Sequence, residues 1–136
     1  MAIKAIDNPI AEIFSKWGRA IESYVGAGHY SVAVSDTINK IPYARIYNVN
    51  ARTSSTDLAG NEVCQTLTIR CESITGGQNA LSDAYDLDNA QRNILMGLGF
   101  RCSEGAVYTQ NADARLVRLV STFTREYTGQ IPDLEE

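Results

Sequence analysis

Apolar residues recur along this chain in two periods, and the switches between them outline a fold. The first element opens at Asn8-Pro9, where Asn8 is placed to cap a helix and Pro9 suits a first turn that needs no amide donor. Ile10, Ile13, Phe14, Trp17, Ile21, Tyr24 and Val25 follow at three- and four-residue steps and form one stripe. Gly26 supplies the left-handed residue that ends such a helix. From Ala27 to Ile41 the periodicity fades. Val32, Val34 and Ile38 are apolar and Ser35-Asp36 can cap one helical turn before Pro42, so the segment reads as a connector.

Tyr43 to Asn50 alternates like a strand, with both faces partly apolar. Thr53 to Asn61 is polar and rich in breakers, which predicts a mobile loop. In the strand after it, Val63, Leu67, Ile69 and Cys71 fall on one face and Cys64, Thr66, Thr68, Arg70 and Glu72 on the other, which reads as wet or subunit-facing. Gly76-Gly77 breaks the pattern, and a second helix begins near Gln78 to Asn79. Its inner stripe is Ala80, Ala84, Leu87, Gln91, Ile94 and Leu98, flanked by Leu81, Tyr85 and Leu95, and Gly97 and Gly99 close it.

Phe100 to Tyr108 forms a strand broken by Gly105, and Gln110 to Asp113 a turn. The last strand, Arg115 to Tyr127, buries Val117, Leu119, Phe123 and Tyr127 and turns Arg118, Thr122, Thr124 and Glu126 the other way. Residues 129–136, with Pro132 and three acidic side chains, read as a flexible acidic tail. The expected fold is a single α+β domain over 1–136 in the order α-β-β-α-β-β. It has a mainly antiparallel four-stranded sheet with both helices on one face.

Composition narrows the function. The 136 residues are 44% hydrophobic and 21% charged, as in an ordinary globular domain able to bury a core. Twelve basic against sixteen acidic side chains leave a net charge of −4, which argues against gripping nucleic acid as the main activity. Cys64, Cys71 and Cys102 are odd in number and lack a CxxC spacing, which fits a reducing compartment. Neither a secretory signal nor a run of membrane-spanning length is visible, so assembly in the cytoplasm is expected, with no membrane partner.

Candidate chemistry is sparse. His29, the lone histidine, has no nucleophile motif beside it and reads as an exposed or capping residue. Cys64 and Cys71 are seven apart and point to opposite faces of a strand, so they cannot share a metal there. Asp83, Asp86 and Asp88 lack the glycine and terminal glutamate of a calcium loop and read as a solvated helix face or as partners for a neighbouring subunit's arginine. Gly26-Ala27-Gly28 and Gly76-Gly77 lack phosphate-loop spacing. Arg115, Arg118 and Arg125 could form a small nucleic-acid surface, but Arg118 lies on the opposite face from the other two, and pairing with carboxylates across a protein interface is the better reading.

Several stretches together resemble the tail terminator, or tail-completion, proteins of long-tailed phages and prophages, often described as minor capsid or minor tail proteins. The stretches are IPYARIYNVN (Ile41 to Asn50), TSSTDLAGNE (Thr53 to Glu62), QTLTIRCESITGGQNAL (Gln65 to Leu81), MGLGFRC (Met96 to Cys102) and DARLVRLVSTFTREY (Asp113 to Tyr127). The resemblance implies a virion structural subunit without enzymatic activity, cofactor or metal. It would form a hexameric ring on the head-proximal end of the tail tube, end tube growth and meet the head's neck. Its implied partners are its own copies, the major tail tube protein and the neck connectors, with DNA passing through the channel unbound. Contacts with subunits or tube are then expected at Thr53, Ser54, Ser55, Thr56 and Asp57 of the polar loop and at Arg70, Arg118 and Arg125. The alternatives are a head-completion or neck connector, a small nucleic-acid-binding regulator using the arginine-bearing strand, and an enzyme centred on His29 or the Asp83 to Asp88 cluster.

Overall fold

The computed structural model describes residues 5, 7–32, 41–109 and 116–129. The expected helical turn at Ser35-Asp36, the turn at Gln110 to Asp113, Arg115 and the tail from 130 onward lie outside the described residues.

Helix α1 runs Ile10–Val25. Its first turn is closed by the Asn8 side chain, whose Oδ1 accepts the Ile10 amide at 2.9 Å, while the Pro9 carbonyl accepts the Ile13 amide at 2.9 Å. Gly26 ends it at φ +96°, where a side chain would be strained. Ile13, Trp17, Ile21 and Val25 face the core, whereas Tyr24, which the periodicity places on the same stripe, is exposed.

The connector after α1 contains a strand where none is expected. β1 (Tyr30–Ser31) pairs in parallel with the start of β2 (Tyr43–Thr56), at Ala44 and Arg45. Tertiary contact forms it: the Tyr30 ring meets Trp17 edge-on at 5.8 Å between ring centres, and its hydroxyl donates to Glu22 at 3.3 Å. Gly18 makes the approach possible, since a Cβ there would stand 3.2 Å from the Tyr30 ring. The sheet is therefore five-stranded and mixed, and the element order is α-β-β-β-α-β-β.

The expected loop at Thr53 to Asn61 is also corrected. β2 continues through Thr56, β3 (Glu62–Gly76) starts at Glu62, and only Asp57 to Asn61 turn the chain. Thr and Ser tolerate the extended conformation, and an exposed hairpin arm needs no apolar face. The Asp57 carboxylate accepts the Ala59 and Asn61 amides, each at 2.9 Å, and closes the turn.

Helix α2 (Ala80–Gly97) buries Ala80, Ala84, Leu87, Gln91 and Ile94, with Leu98 just beyond its end. β4 (Arg101–Thr109) and β5 (Leu116–Tyr127) complete the sheet in the order β1-β2-β3-β5-β4. All neighbouring pairs except β1 with β2 are antiparallel. Both helices lie on one face, α1 over β1 and β2 and α2 over β3, β5 and β4. Ile46, Leu67, Ile69, Cys71, Leu95 and Phe123 fill the layer between. Val63, expected to face that layer, is exposed near the hairpin end.

Candidate functional site

The sheet face opposite the helices carries the densest organised charge. Register places Arg45 of β2 beside Glu72 of β3, and Arg118 of β5 one diagonal step away. The Glu72 Oε1 atom accepts Arg45 Nε at 3.1 Å, Arg45 Nη2 at 2.5 Å and Arg118 Nε at 2.9 Å, while Oε2 accepts Arg118 Nη2 at 2.7 Å. One carboxylate thus ties three strands together. Glu72 is 1% exposed and Arg45 6%. The face expected to be wet or subunit-facing is thus buried within the chain at Glu72. Burial pushes the Glu72 carboxyl up, but the hydrogen bonds and charges of Arg118 and Arg45 outweigh it and hold the group below its ordinary value. The same carboxylate raises Arg118, and burial together with nearby Glu72 raises the Tyr47 hydroxyl.

Beside this clamp lies an open groove of about 250 Å³, lined among others by Tyr47, Arg70, Glu104, Val107, Arg118 and Val120. Arg70 is exposed, and its Nε donates to Thr122 Oγ1 at 3.3 Å. Arg70 and Arg118, both expected as contact residues, come together here. Arg125 does not join them. It sits on the helix-bearing face, where Nη1 donates to the Leu98 carbonyl at the end of α2 and the guanidinium lies 5.6 Å from the Tyr127 ring centre. Its contacts hold a helix end and leave it outside the groove. Burial pulls its pKa down.

Thr53 to Asp57 lie at the far end of the hairpin, exposed and remote from the groove along β2. Thr53 Oγ1 donates to Glu62 across the two strands. Leu58 at the tip is fully exposed. Sequence reasoning does not single out Tyr47, Glu104, Val107 or Val120 as site residues. Their alternation is visible in the sequence, but the pairing register that gathers them is not.

The other candidates resolve into structural roles. His29 Nδ1 lies 2.9 Å from the Pro42 carbonyl and the His29 carbonyl accepts the Ala44 amide, so the residue braces the entry to β2. Cys71 is buried in the core, and burial drives its thiol well above the ordinary range. Asp83 and Asp86 are exposed, whereas Asp88, expected on the same solvated face, is 2% exposed and accepts Ser121 Oγ at 2.5 Å. Among the described residues no group of three His, Cys, Asp or Glu is placed to hold a metal ion, and no helix is long and apolar enough to cross a membrane. A second concavity, about 400 Å³, lies where α1 ends and α2 begins, between Tyr24, Val25, Pro42, Asp83, Asp86 and Leu87.

Neither a known family model nor a curated protein matches the chain.

Proposed function

We propose that this chain is a virion structural protein, a tail terminator that forms a hexameric ring capping the tail tube and joining it to the neck. One observation carries the reading. Among the described residues, the outer edge of β2 has no partner strand beyond Arg45, although the strand continues to Thr56. Exposed edges of that length invite pairing with another chain unless they are blocked, and a closed ring covers them. The stretch Tyr47 to Thr56 contains no proline and a single charged side chain, Arg52, so it carries little of the usual protection. Among the described residues, the part of the opposite sheet face around exposed Arg70 is open, and an assembly would cover it, which supports the same reading.

Gel filtration with light scattering, followed by negative-stain imaging with and without purified tail tubes, tests the proposal. Rings in solution or on tube ends are expected. A chain that stays monomeric at high concentration and leaves tube ends bare would overturn it, and binding to heads in place of tubes would move the subunit to the neck.

A further inference from the structure

The two sides of the sheet differ in charge. Among the described residues, the side away from the helices carries Arg45, Arg52, Arg70, Arg101 and Arg118 against Glu72, Glu104 and Glu126, a surplus of two positive charges by register. Helix α2, on the other side, carries Asp83, Asp86 and Asp88 against Arg92, a surplus of two negative charges. Asp88 is already paired with Arg92 at 3.3 Å, which leaves Asp83 and Asp86 as its outward charges.

Apolar surface is divided in the same way. The groove is walled by Tyr47, Val107 and Val120. Helix α2 turns Leu81 (53% exposed) and Tyr85 (44% exposed) to solvent, one turn apart on one stripe, with Asp86 next to Tyr85. Large side chains exposed together at helical spacing match a groove with room for one of them.

We infer that this groove seats helix α2 of a second copy, with Tyr85 against Val107 and Val120 and Asp86 paired to Arg70. The inference rests on the ring reading and names an interface within it. Groove and helix lie on opposite faces of one sheet, so they cannot meet inside a subunit. The contact is therefore head-to-tail, the kind that closes into a ring when the rotation allows. A positively charged groove also fits an acidic protein helix that neutralises it inside the assembly.

Charge reversal tests the pairing. Arg70→Glu and Asp86→Arg both change exposed side chains and are expected to fold normally, as far-UV circular dichroism and thermal melting will check. Each variant alone should assemble at least tenfold more weakly than the wild type by light scattering. Mixed in equal amounts, they should recover rings of alternating composition. At one junction the carboxylate introduced by Arg70→Glu meets the guanidinium introduced by Asp86→Arg, and the next junction keeps the native pair. The double variant should recover assembly too. Wild-type-like assembly by either single variant, or a mixture that stays monomeric, overturns the inference while wild-type rings keep the broader reading intact. A wild-type chain that never assembles removes both.

Discussion

Arg118 grips Glu72 through two nearly parallel hydrogen bonds, Nε to Oε1 at 2.9 Å and Nη2 to Oε2 at 2.7 Å, while Arg45 approaches the same carboxylate from the neighbouring strand. Two guanidinium groups around one buried anion make this a structural clamp first and a charged surface second.

Removing the anion leaves Arg45 buried beside a second cation. Glu72→Ala is expected to destabilise the fold by about 3–5 kcal/mol, the range for breaking a buried pair from one side. Urea denaturation measures it. A loss below about 1 kcal/mol would show that water reaches the arginines.

The clamp also sets a pH dependence. Its partners hold Glu72 below the ordinary glutamate value in the folded chain. The stability this contributes is complete above the unfolded value of about 4.3 and is lost as pH falls through the folded one. Wild type should lose stability on acidification through that window faster than Glu72→Gln. The Asp57 carboxyl, lowered chiefly by its hydrogen bonds with Asn61, is common to both proteins and cancels in the comparison.

Trp17 Nε1 donates to Gln91 Oε1 at 3.3 Å, and Gln91 Nε2 donates to the Glu72 carbonyl at 3.0 Å and to Ser73 Oγ at 2.8 Å. Gln91→Leu strands these buried groups and should cost roughly 1–3 kcal/mol. The single tryptophan reports unfolding by a red shift of its emission.

Gly99 has φ +90°, and a Cβ there would stand 2.8 Å from Arg125 Nη1. Gly99→Ala is therefore expected to cost about 1–3 kcal/mol through backbone strain. It should also push Arg125 off the end of α2, with a loss of helical signal at elevated temperature.

Among the thiols, Cys64 and Cys102 are partly exposed and Cys71 is buried. A chromogenic disulfide reagent should titrate Cys64 and Cys102 in the native protein and reach Cys71 only after denaturant is added. Native-state labelling of Cys71 would show that the core opens readily.

The helices were legible because each has one apolar stripe and a clear end, so Ile13, Trp17, Ala84 and Gln91 fall inward as their spacing requires. β1 was not, since Tyr30-Ser31 has no period of its own and exists through contacts with Trp17 and Ala44. Polarity misled at Thr53 to Thr56, where strand pairing overrides composition. The site was half legible. Arg70 and Arg118 stand out in any reading of the strands, but Glu72 and Arg45 become one unit only once register sets them opposite each other.

At β4, the Ala106 amide donates to Ser121 Oγ at 2.8 Å, and the same hydroxyl donates to Asp88 at 2.5 Å. Ala106 sits at φ +35° within the register shift between Glu104 and Val107, so the bulge is anchored from the core. This edge strand cannot fray alone: peeling it away uncovers a fully buried hydroxyl and the carboxylate behind it. The β4 amides that bond to β5 should therefore exchange slowly, a rigid rim on one side of a sheet whose opposite edge, among the described residues, is open beyond Arg45.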